Sequence, residues 1–544
     1  MRARALALLL AVTSLAPAAH AQQARTLTLD DAIRLAARES EALNIARAGV
    51  SRANGQVRQA RSQNLPQVNS SLAYSRTLKS QFSALAGGSS DSSASSSAPK
   101  TSAVCAPTIP ANATAAERQA ILAQASTCAA VQGIDFNKVG FGARNSYTLG
   151  LNVSQNVFTG GRVQGQTTSA NAQERSAEIE LTSQRAQLAL DVTQAYFDAV
   201  LADQLVSIAD TSLAQTEELL RQTQVARQVG SLSEFDLLRA TVSRDNQRPV
   251  LISRRGDRDV AYLRLKQLLN LSLDEPLSLT TPIDQPDQVT TIIATNASSD
   301  PAAPRLNADT TTDNRAPVRE SEQAVRAQEG QLKVARADLL PSLAISTNYQ
   351  RLFFPNSVLP SFNQYSQNWT IGGTINYSIF SGGRVQGQVQ VAQANLDEAR
   401  ARHQQSRELA ALDTRVAINQ LQAAEAAFAA SRGTAQQAQR AYSIDQIRYK
   451  EGLSTQTDLT QSRLLLEQAV ANQAQSSRDV AVARARVALI RDLPVNSAAL
   501  GAAAQRAAAS QQQAQQQQQQ TQQRAQSSAA GQTGAGQFSG SPTP

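Results

Sequence analysis

Four short stretches of the chain alternate apolar and polar positions with a period of two. In Gln67–Arg76 the even positions are Val68, Ser70, Leu72 and Tyr74, and in 146–158 the odd positions are Tyr147, Leu149, Leu151, Val153 and Val157. Residues 342–351 set Leu343, Ile345 and Tyr349 against Ser342, Ala344, Ser346 and Asn348; residues 368–380 set Trp369, Ile371, Ile375, Tyr377 and Ile379 against Asn368, Thr370, Thr374, Asn376 and Ser378. This period predicts strands with one apolar face and one polar or small face. A half-buried sheet on a soluble core is one reading. Lengths near the roughly 9–11 residues of a tilted membrane strand, aromatics near the strand ends and a second face polar enough to line water favour an outer-membrane barrel. Four strands cannot close alone and open edges are not viable in lipid, so several copies of the chain would share one barrel.

Between the strands the pattern changes to helical. No proline falls between Gly161 and Gly230, where only Gly165 interrupts, and the interval from Gly383 to Gly452 is broken only by Gly387 and Gly433. The spacing predicts long helices over 161–229 and 383–451, each about 100 Å at roughly 1.5 Å per residue. The first carries two heptad stripes, Leu181, Leu188, Ala195, Ala202, Ala209 and Val192, Ala199, Val206, Leu213, Leu220; the second carries Leu421, Phe428, Ala435, Tyr442, Tyr449. Two stripes on one helix imply two neighbours, as in a ring of helices. Shorter helical stretches at 30–64 and 232–269 together approach the length of one long helix, which suggests a cylinder of helices.

The chain is also internally repeated, a feature that takes precedence over any local motif. The nine residues FTGGRVQGQ from Phe158 reappear as FSGGRVQGQ from Phe380, and Gly230 and Asp236 match Gly452 and Asp458 at the same offset of 222 residues. The stretch from Gly55 to Tyr74 matches that from Gly330 to Tyr349 at an offset of 275, so the first copy holds 53 extra residues. These form a Ser/Ala-rich insertion read as a solvated loop over about 80–140. The expected organisation is a first repeat over 22–271, a Pro/Asp/Thr-rich linker or lateral segment over 272–315, and a second repeat over 316–493 containing a helix over 454–491. A Gln-rich tail over 494–544 is expected to be disordered.

Composition narrows the function classes. The chain opens with Arg2 and Arg4, an apolar run and Ala19-His20-Ala21, which predicts a secretory signal peptide over 1–21 cleaved after Ala21. A membrane anchor is the alternative, but the run is too short and is broken by Thr13, Ser14 and Pro17. A mean hydropathy of -0.32 leaves no candidate transmembrane helix in the mature chain. The net charge of +8 comes from arginines interspersed with acids along helices, which reads as a solvated face rather than a nucleic-acid surface. After cleavage one histidine remains, His403, expected at a helix surface; no histidine triad, multi-histidine metal site or cofactor motif is available, and no enzyme activity is expected. The paired Gly-Gly turns lack a phosphate-loop lysine and read as bends, in which Gly160-Gly161 and Gly382-Gly383 turn a strand into a helix. Cys105 and Cys128 both lie in the insertion, and in an oxidising compartment they are expected to form a disulfide closing 22 residues. Gly230 and Gly452 read as helix C-caps, with Ser231 or Ser233 and Ser454 or Thr455 opening the next helix.

With LTLDDAIRLAARES near the start, helix-Pro-strand units ending at Pro66 and Pro341, both GGRV turns and both Gly-plus-Asp turns, the chain resembles the TolC-type outer membrane efflux proteins over about 27–493. The resemblance implies an α+β membrane protein: a homotrimer with a 12-stranded outer-membrane β-barrel, four strands per chain, continuous with a periplasmic α-helical barrel. It implies a passive duct that exports small toxic compounds, docked to a periplasmic adaptor protein and an inner-membrane transporter of the resistance-nodulation-division or ABC type. Type I protein secretion is the alternative within that architecture, and a soluble helical scaffold or adhesin the alternative outside it. In the family the helix-joining turns contact the adaptor; here these are Val229-Gly230-Ser231 and Glu451-Gly452-Leu453. The family narrows this end with aspartates six and nine residues after the second glycine, positions held here by Asp458 and Gln461, with Asp236 at the matching place after the first. In a trimer Asp458 would form a ring of three carboxylates able to bind a cation; an exposed helix aspartate is the equal alternative.

Overall fold

The computed structural model describes residues 25–79, 108–128, 143–283, 311–355 and 365–495. In chain order the elements are β1 (Arg25–Leu27), α1 (Leu29–Glu39), α2 (Glu41–Ser62), β2 (Gln67–Arg76), α3 (Ala115–Cys128), β3 (Asn145–Phe158), α4 (Arg162–Gln228), α5 (Glu234–Leu268), β4 (Leu277–Leu279), α6 (Ala316–Ala337), β5 (Ser342–Phe353), β6 (Ser366–Asn376), α7 (Arg384–Lys450) and α8 (Gln456–Leu489). The chain divides into two compact units, one holding 56–168 and 329–393 and the other 1–55, 169–328 and 394–544. No helix among the described residues is long and apolar enough to cross a membrane.

The first unit is built on an antiparallel sheet of order β2-β3-β5-β6. Its register sorts the side chains by polarity. One face aligns Leu72 with Leu149, Tyr74 with Tyr147, Leu151 with Tyr349 and Tyr349 with Trp369. The other aligns Asn69 with Asn152, Asn152 with Asn348, and Asn348 with Thr370. A shift of one residue would mix the two faces in every strand, so the pattern itself specifies the register. Aromatic contacts reinforce it, Tyr74 against Tyr147 at 4.7 Å and Tyr349 edge-on to Trp369 at 6.3 Å. Among the described residues, the two outer strands, β2 and β6, each have one unpaired edge.

Two departures from the expected elements have a physical cause. β6 ends at Asn376, not at Phe380, because its partner β5 begins at Ser342, directly after Pro341, which has no N–H to extend the ladder. Phe158, in contrast, stays in β3 and pairs with Leu343 through a bulge at Val157. The insertion is not all loop: residues 115–128, AAERQAILAQASTC, form α3, opened by Thr114, whose N–H and hydroxyl both donate to Glu117 at 2.9 Å. That capping holds the Glu117 carboxyl below the usual range.

The second unit is helical. Its main core gathers Leu29, Ile33 and Ala36 of α1, Ala189, Val192, Ala195, Tyr196, Phe197 and Ala199 of α4, Leu265 of α5, and Ala481, Ala485 and Leu489 of α8. The heptad stripes read from α4 are buried at Val192, Ala195, Ala199, Ala202, Ala209 and Leu220, while Leu181, Leu188, Val206 and Leu213 are half-buried. On α7, Ala435 and Tyr442 are buried. Alanine at so many contact positions lets helices approach closely. Where one helix was expected over 30–64 there are two, because Ser40 adopts an extended conformation and its N–H closes on Ala36 O at 2.9 Å. Arg47 then satisfies the freed carbonyl of Ala37 at 3.1 Å.

The segment 272–315 contributes β4, which pairs in parallel with β1 from the start of the chain. The Tyr196 hydroxyl ties the pair to α4: it donates to Leu27 O at 3.0 Å and accepts from Thr281 N at 2.9 Å. At the other end of that segment, Arg315 is fully buried against Asp413 of α7, 2.8 Å away. The signal peptide with its cleavage after Ala21, Cys105, and the Gln-rich tail from 496 lie outside the described residues.

Candidate functional site: the paired turns and their supporting network

Each long helix ends in the same way. At the end of α4, Gly230 takes φ 79°, its N–H donates to Arg227 O at 2.9 Å, and Ser231 N donates to Ala226 O at 2.9 Å. At the end of α7, Gly452 takes φ 71°, its N–H donates to Tyr449 O at 3.1 Å, and Leu453 N donates to Arg448 O at 2.8 Å. This double closure around a left-handed residue satisfies the last carbonyls of the helix and favours glycine at that position.

The next helix then opens with a capping box. Ser233 Oγ accepts from Asp236 N at 3.2 Å and donates to Asp236 Oδ2 at 2.6 Å; Thr455 Oγ1 accepts from Asp458 N at 3.2 Å and donates to Asp458 Oδ2 at 2.7 Å. The sequence left two candidates for each cap, and Ser233 and Thr455 are the ones used. Both aspartates singled out from the sequence therefore have structural work at the third helical position. The Thr455 hydroxyl, then its backbone N–H, hold the exposed Asp458 carboxyl below its ordinary range. Gln461 is exposed on α8.

The two turns are tied to each other inside one chain. Arg239 Nη1 donates to Thr457 Oγ1 at 2.5 Å, linking the second turn of α5 to the first turn of α8, and its guanidinium lies 5.0 Å from the centre of the Phe235 ring. Arg227 pairs with Glu234 across the first turn at 3.2 Å. Val229 and Leu453 project exposed from the tips.

Farther along these helices lies a buried polar cluster that sequence reasoning missed. Gln247 of α5 donates to Ser212 Oγ of α4 at 2.8 Å, and Ser212 donates to Glu467 Oε2 of α8 at 2.8 Å. Arg463 of α8 bonds to Ser212 and pairs with Glu467 at 3.4 Å. Burial lowers the Arg463 pKa and raises that of Tyr442 on α7. Between the cluster and the turns, Leu219, Tyr442, Tyr449 and Leu459 line a cavity of about 280 Å³. The one available signal was indirect: Thr216 and Thr223 continue the stripe of Ala202 and Ala209 at seven-residue steps and are buried on α4, whereas Ser212 lies on neither stripe.

The Gly-Gly bends sit in the sheet unit. Gly160 and Gly161 take φ 61° and 91°, Gly382 and Gly383 take 61° and 83°. A Cβ on Gly160 would come within 2.7 Å of Ala337 O. Arg162, first in α4, pairs with Asp338 after α6. Gly165 allows α4 to approach α6, since its Cβ would lie 2.6 Å from Gly330 O. His403 is half-buried rather than exposed, because its Nδ1 shares a hydrogen bond of 2.9 Å with Ser321 of α6.

The model of the family described as outer membrane efflux protein matches residues 32–271 and 308–490. The chain belongs to that family. This efflux protein is 22% identical over 333 residues to the outer membrane efflux protein BepC of Brucella suis biovar 1, covering 60% of the present chain and 69% of BepC. Its fold is similar to that of the Campylobacter jejuni CmeC outer membrane channel, with a TM-score of 0.62, 17% identity and 88% of each chain covered. It is also similar to VceC of Vibrio cholerae, with a TM-score of 0.60, 17% identity and coverage of 85% and 95%, and to the open-state MtrE channel of Neisseria gonorrhoeae, with 0.61, 17% and coverage of 86% and 89%. The efflux protein is an outer-membrane duct whose helical part lies in the periplasm. The family consists of channels rather than enzymes.

Proposed function

We propose that three copies of this efflux protein form one exit duct, each contributing β2, β3, β5 and β6 to a closed 12-stranded barrel and its helices to a periplasmic tunnel. One observation carries the reading: a sheet sorted into an apolar and a polar face whose edges, β2 and β6, have no partner strand among the described residues. Unpaired edges in a bilayer would leave backbone groups without partners, and pairing β6 of one copy with β2 of the next removes them. The polar face then lines water and the apolar face meets lipid.

In this arrangement the turns at Val229-Gly230-Ser231 and Glu451-Gly452-Leu453 form the tips that meet the periplasmic adaptor, and an inner-membrane transporter of the resistance-nodulation-division or ABC type supplies cargo. Asp458 from three copies forms a carboxylate ring. Its lowered pKa keeps it charged at periplasmic pH, which supports cation binding, while its capping bonds fix where the charge stands. Small toxic compounds are the proposed cargo, and Cys105 and Cys128 are proposed to bridge the insertion. The test is a deletion strain. Increased drug susceptibility with an unchanged set of secreted proteins is expected; unchanged susceptibility with loss of a secreted protein would assign the duct to type I secretion instead.

A further inference from the structure

The sheet and its flanks carry an uneven charge. Residues 63–79, 143–161, 339–355 and 365–383 contain no Asp or Glu and four cations, Arg76, Lys79, Arg144 and Arg351. All four lie toward the end of the strands remote from the helix connections. Arg76 pairs with Asn145 at the last rung of β2 and β3, and Thr77 N donates to Arg144 O at 2.8 Å just beyond it. Arg351 pairs with Gln367 near the start of β6.

Arg351 stands on the apolar face, in line with Leu149, Leu343 and Ile345, where an isolated charge is costly. Its surroundings are aromatic. Nε donates to Tyr349 Oη at 2.7 Å, and the guanidinium lies 5.6 Å from the Tyr349 ring centre and 4.7 Å from that of Tyr365. Aromatics at this level mark the interface between hydrocarbon and headgroups. Stacking positions the guanidinium without neutralising it, and among the described residues no carboxylate pairs with any of the four cations.

The geometry points to a lipid-headgroup site: this rim binds the phosphates of an anionic glycolipid in the outer leaflet, with Arg351 held between two tyrosines as its fixed cation. The site rests on the barrel reading, and because the helical part is periplasmic the rim faces outward. A guanidinium offers phosphate a two-pronged donor, and an aromatic cradle preorganises it at little entropic cost. Three copies would place twelve such cations around the barrel, facing a leaflet of phosphate-bearing lipid, with no acid in those four stretches of strand and flank to repel it. A zwitterionic headgroup offers Arg351 only a phosphate already balanced by its own ammonium group, a weaker partner than the uncompensated phosphates of an anionic lipid.

The experiment uses the full-length protein purified in detergent and exchanged into vesicles of phosphatidylcholine containing a tracer of phosphorylated glycolipid, the same glycolipid with its phosphates removed, or phosphatidylglycerol. Retained tracer is measured by mass spectrometry. The wild type is expected to retain the phosphorylated glycolipid selectively, Arg351→Gln to bind it roughly fivefold more weakly, and the triple variant R76Q/K79Q/R144Q to lose still more, at about one such factor per cation. Arg440→Gln, an exposed charge on α7, should change nothing. If Arg351→Gln fails to insert, the triple variant at exposed rim positions decides the matter alone. Equal retention by wild type and variants, or equal binding of phosphatidylglycerol, overturns the site while the barrel reading stands. A wild type that is released from membranes without detergent overturns both.

Discussion

Removing the Asp413 carboxylate is the most demanding test of how the helical unit is held together. Asp413 is 1% exposed and accepts from Arg315, which is 0% exposed, at 2.8 Å through Oδ2 and from Arg486 at 2.8 Å through Oδ1. Arg315 also donates to Ala410 O at 3.1 Å, Thr414 Oγ1 at 2.9 Å and Leu493 O at 3.3 Å, so one guanidinium joins the start of α6, the middle of α7 and the chain beyond α8. Burial already lowers the Arg315 pKa, and its pairing with Asp413 opposes that. Asp413→Ala leaves a desolvated cation whose counter-charge is gone, at a cost of about 3–5 kcal/mol. The surface pair Arg402–Glu398, with side chains 75% and 57% exposed, is worth at most about 1 kcal/mol. The double change R315M/D413L removes both buried charges and should recover most of the loss. Thermal unfolding by circular dichroism at one heating rate in detergent gives the ranking: Asp413→Ala lowest by a wide margin, the double variant well above it, Glu398→Ala close to wild type. Equal midpoints for Asp413→Ala and Glu398→Ala would refute the argument that this pair is dry and essential.

Further outcomes follow from three other parts of the chain. Gly160→Ala should destabilise the protein more than Gly382→Ala: both have φ 61°, but only the first new methyl meets backbone, Ala337 O at 2.7 Å, whereas nothing lies within 4 Å of the second. The left-handed strain common to both is about 1 kcal/mol, and denaturant midpoints should separate them beyond that. Asp458→Ala should weaken block of single-channel current by divalent cations, and Asp458→Asn, which can still cap α8, should do the same with less loss of stability; unchanged block in both would remove Asp458 from the gate. Because the folded Asp458 pKa lies below its unfolded value, its capping is complete above the ordinary carboxylate pKa and fades as pH falls through the folded one, so acid should erase the stability difference between wild type and Asp458→Ala. Burial, with hydrogen bonding to Asp203, raises the Tyr262 pKa far above that of a free phenol. Its contribution is therefore intact below pH ~10 and is lost as pH rises toward the folded value, and an ultraviolet titration of Tyr262→Phe should lack one late-ionising tyrosine.

Much of this architecture was legible because its elements are long and regular. α4 and α7 end within one residue of the boundaries set by the paired glycines, since a left-handed C-cap is a local requirement that a single residue type satisfies best. The faces of β2, β3, β5 and β6 were legible for the same reason: period two persists over 10 or more residues. Elements that depend on distant partners were not. β1 and β4 are three residues each, and neither forms without the other about 250 residues away. Arg315 lies in a Pro/Asp/Thr-rich stretch that looks solvated, and nothing local announces that Asp413 and Arg486 will meet it. The Ser212–Gln247–Arg463–Glu467 cluster was hidden likewise, its members spread over three helices and each resembling a surface residue when read alone. The strand end at Asn376 was missed because apolar alternation continues to Phe380, although the partner strand does not.

In the proposed duct, the two free edges of the sheet close a ring of three copies. With Cys105 and Cys128 replaced, Ser71 on the polar face of β2 is changed to cysteine and combined in turn with cysteine at Asn368, Thr370, Gly372 or Thr374 of β6. Oxidation of membranes carrying the pair that falls in register should yield two- and three-chain species on denaturing gels and nothing larger. A ladder extending beyond three chains, or no cross-link from any of the four pairs, would contradict the closed three-fold barrel.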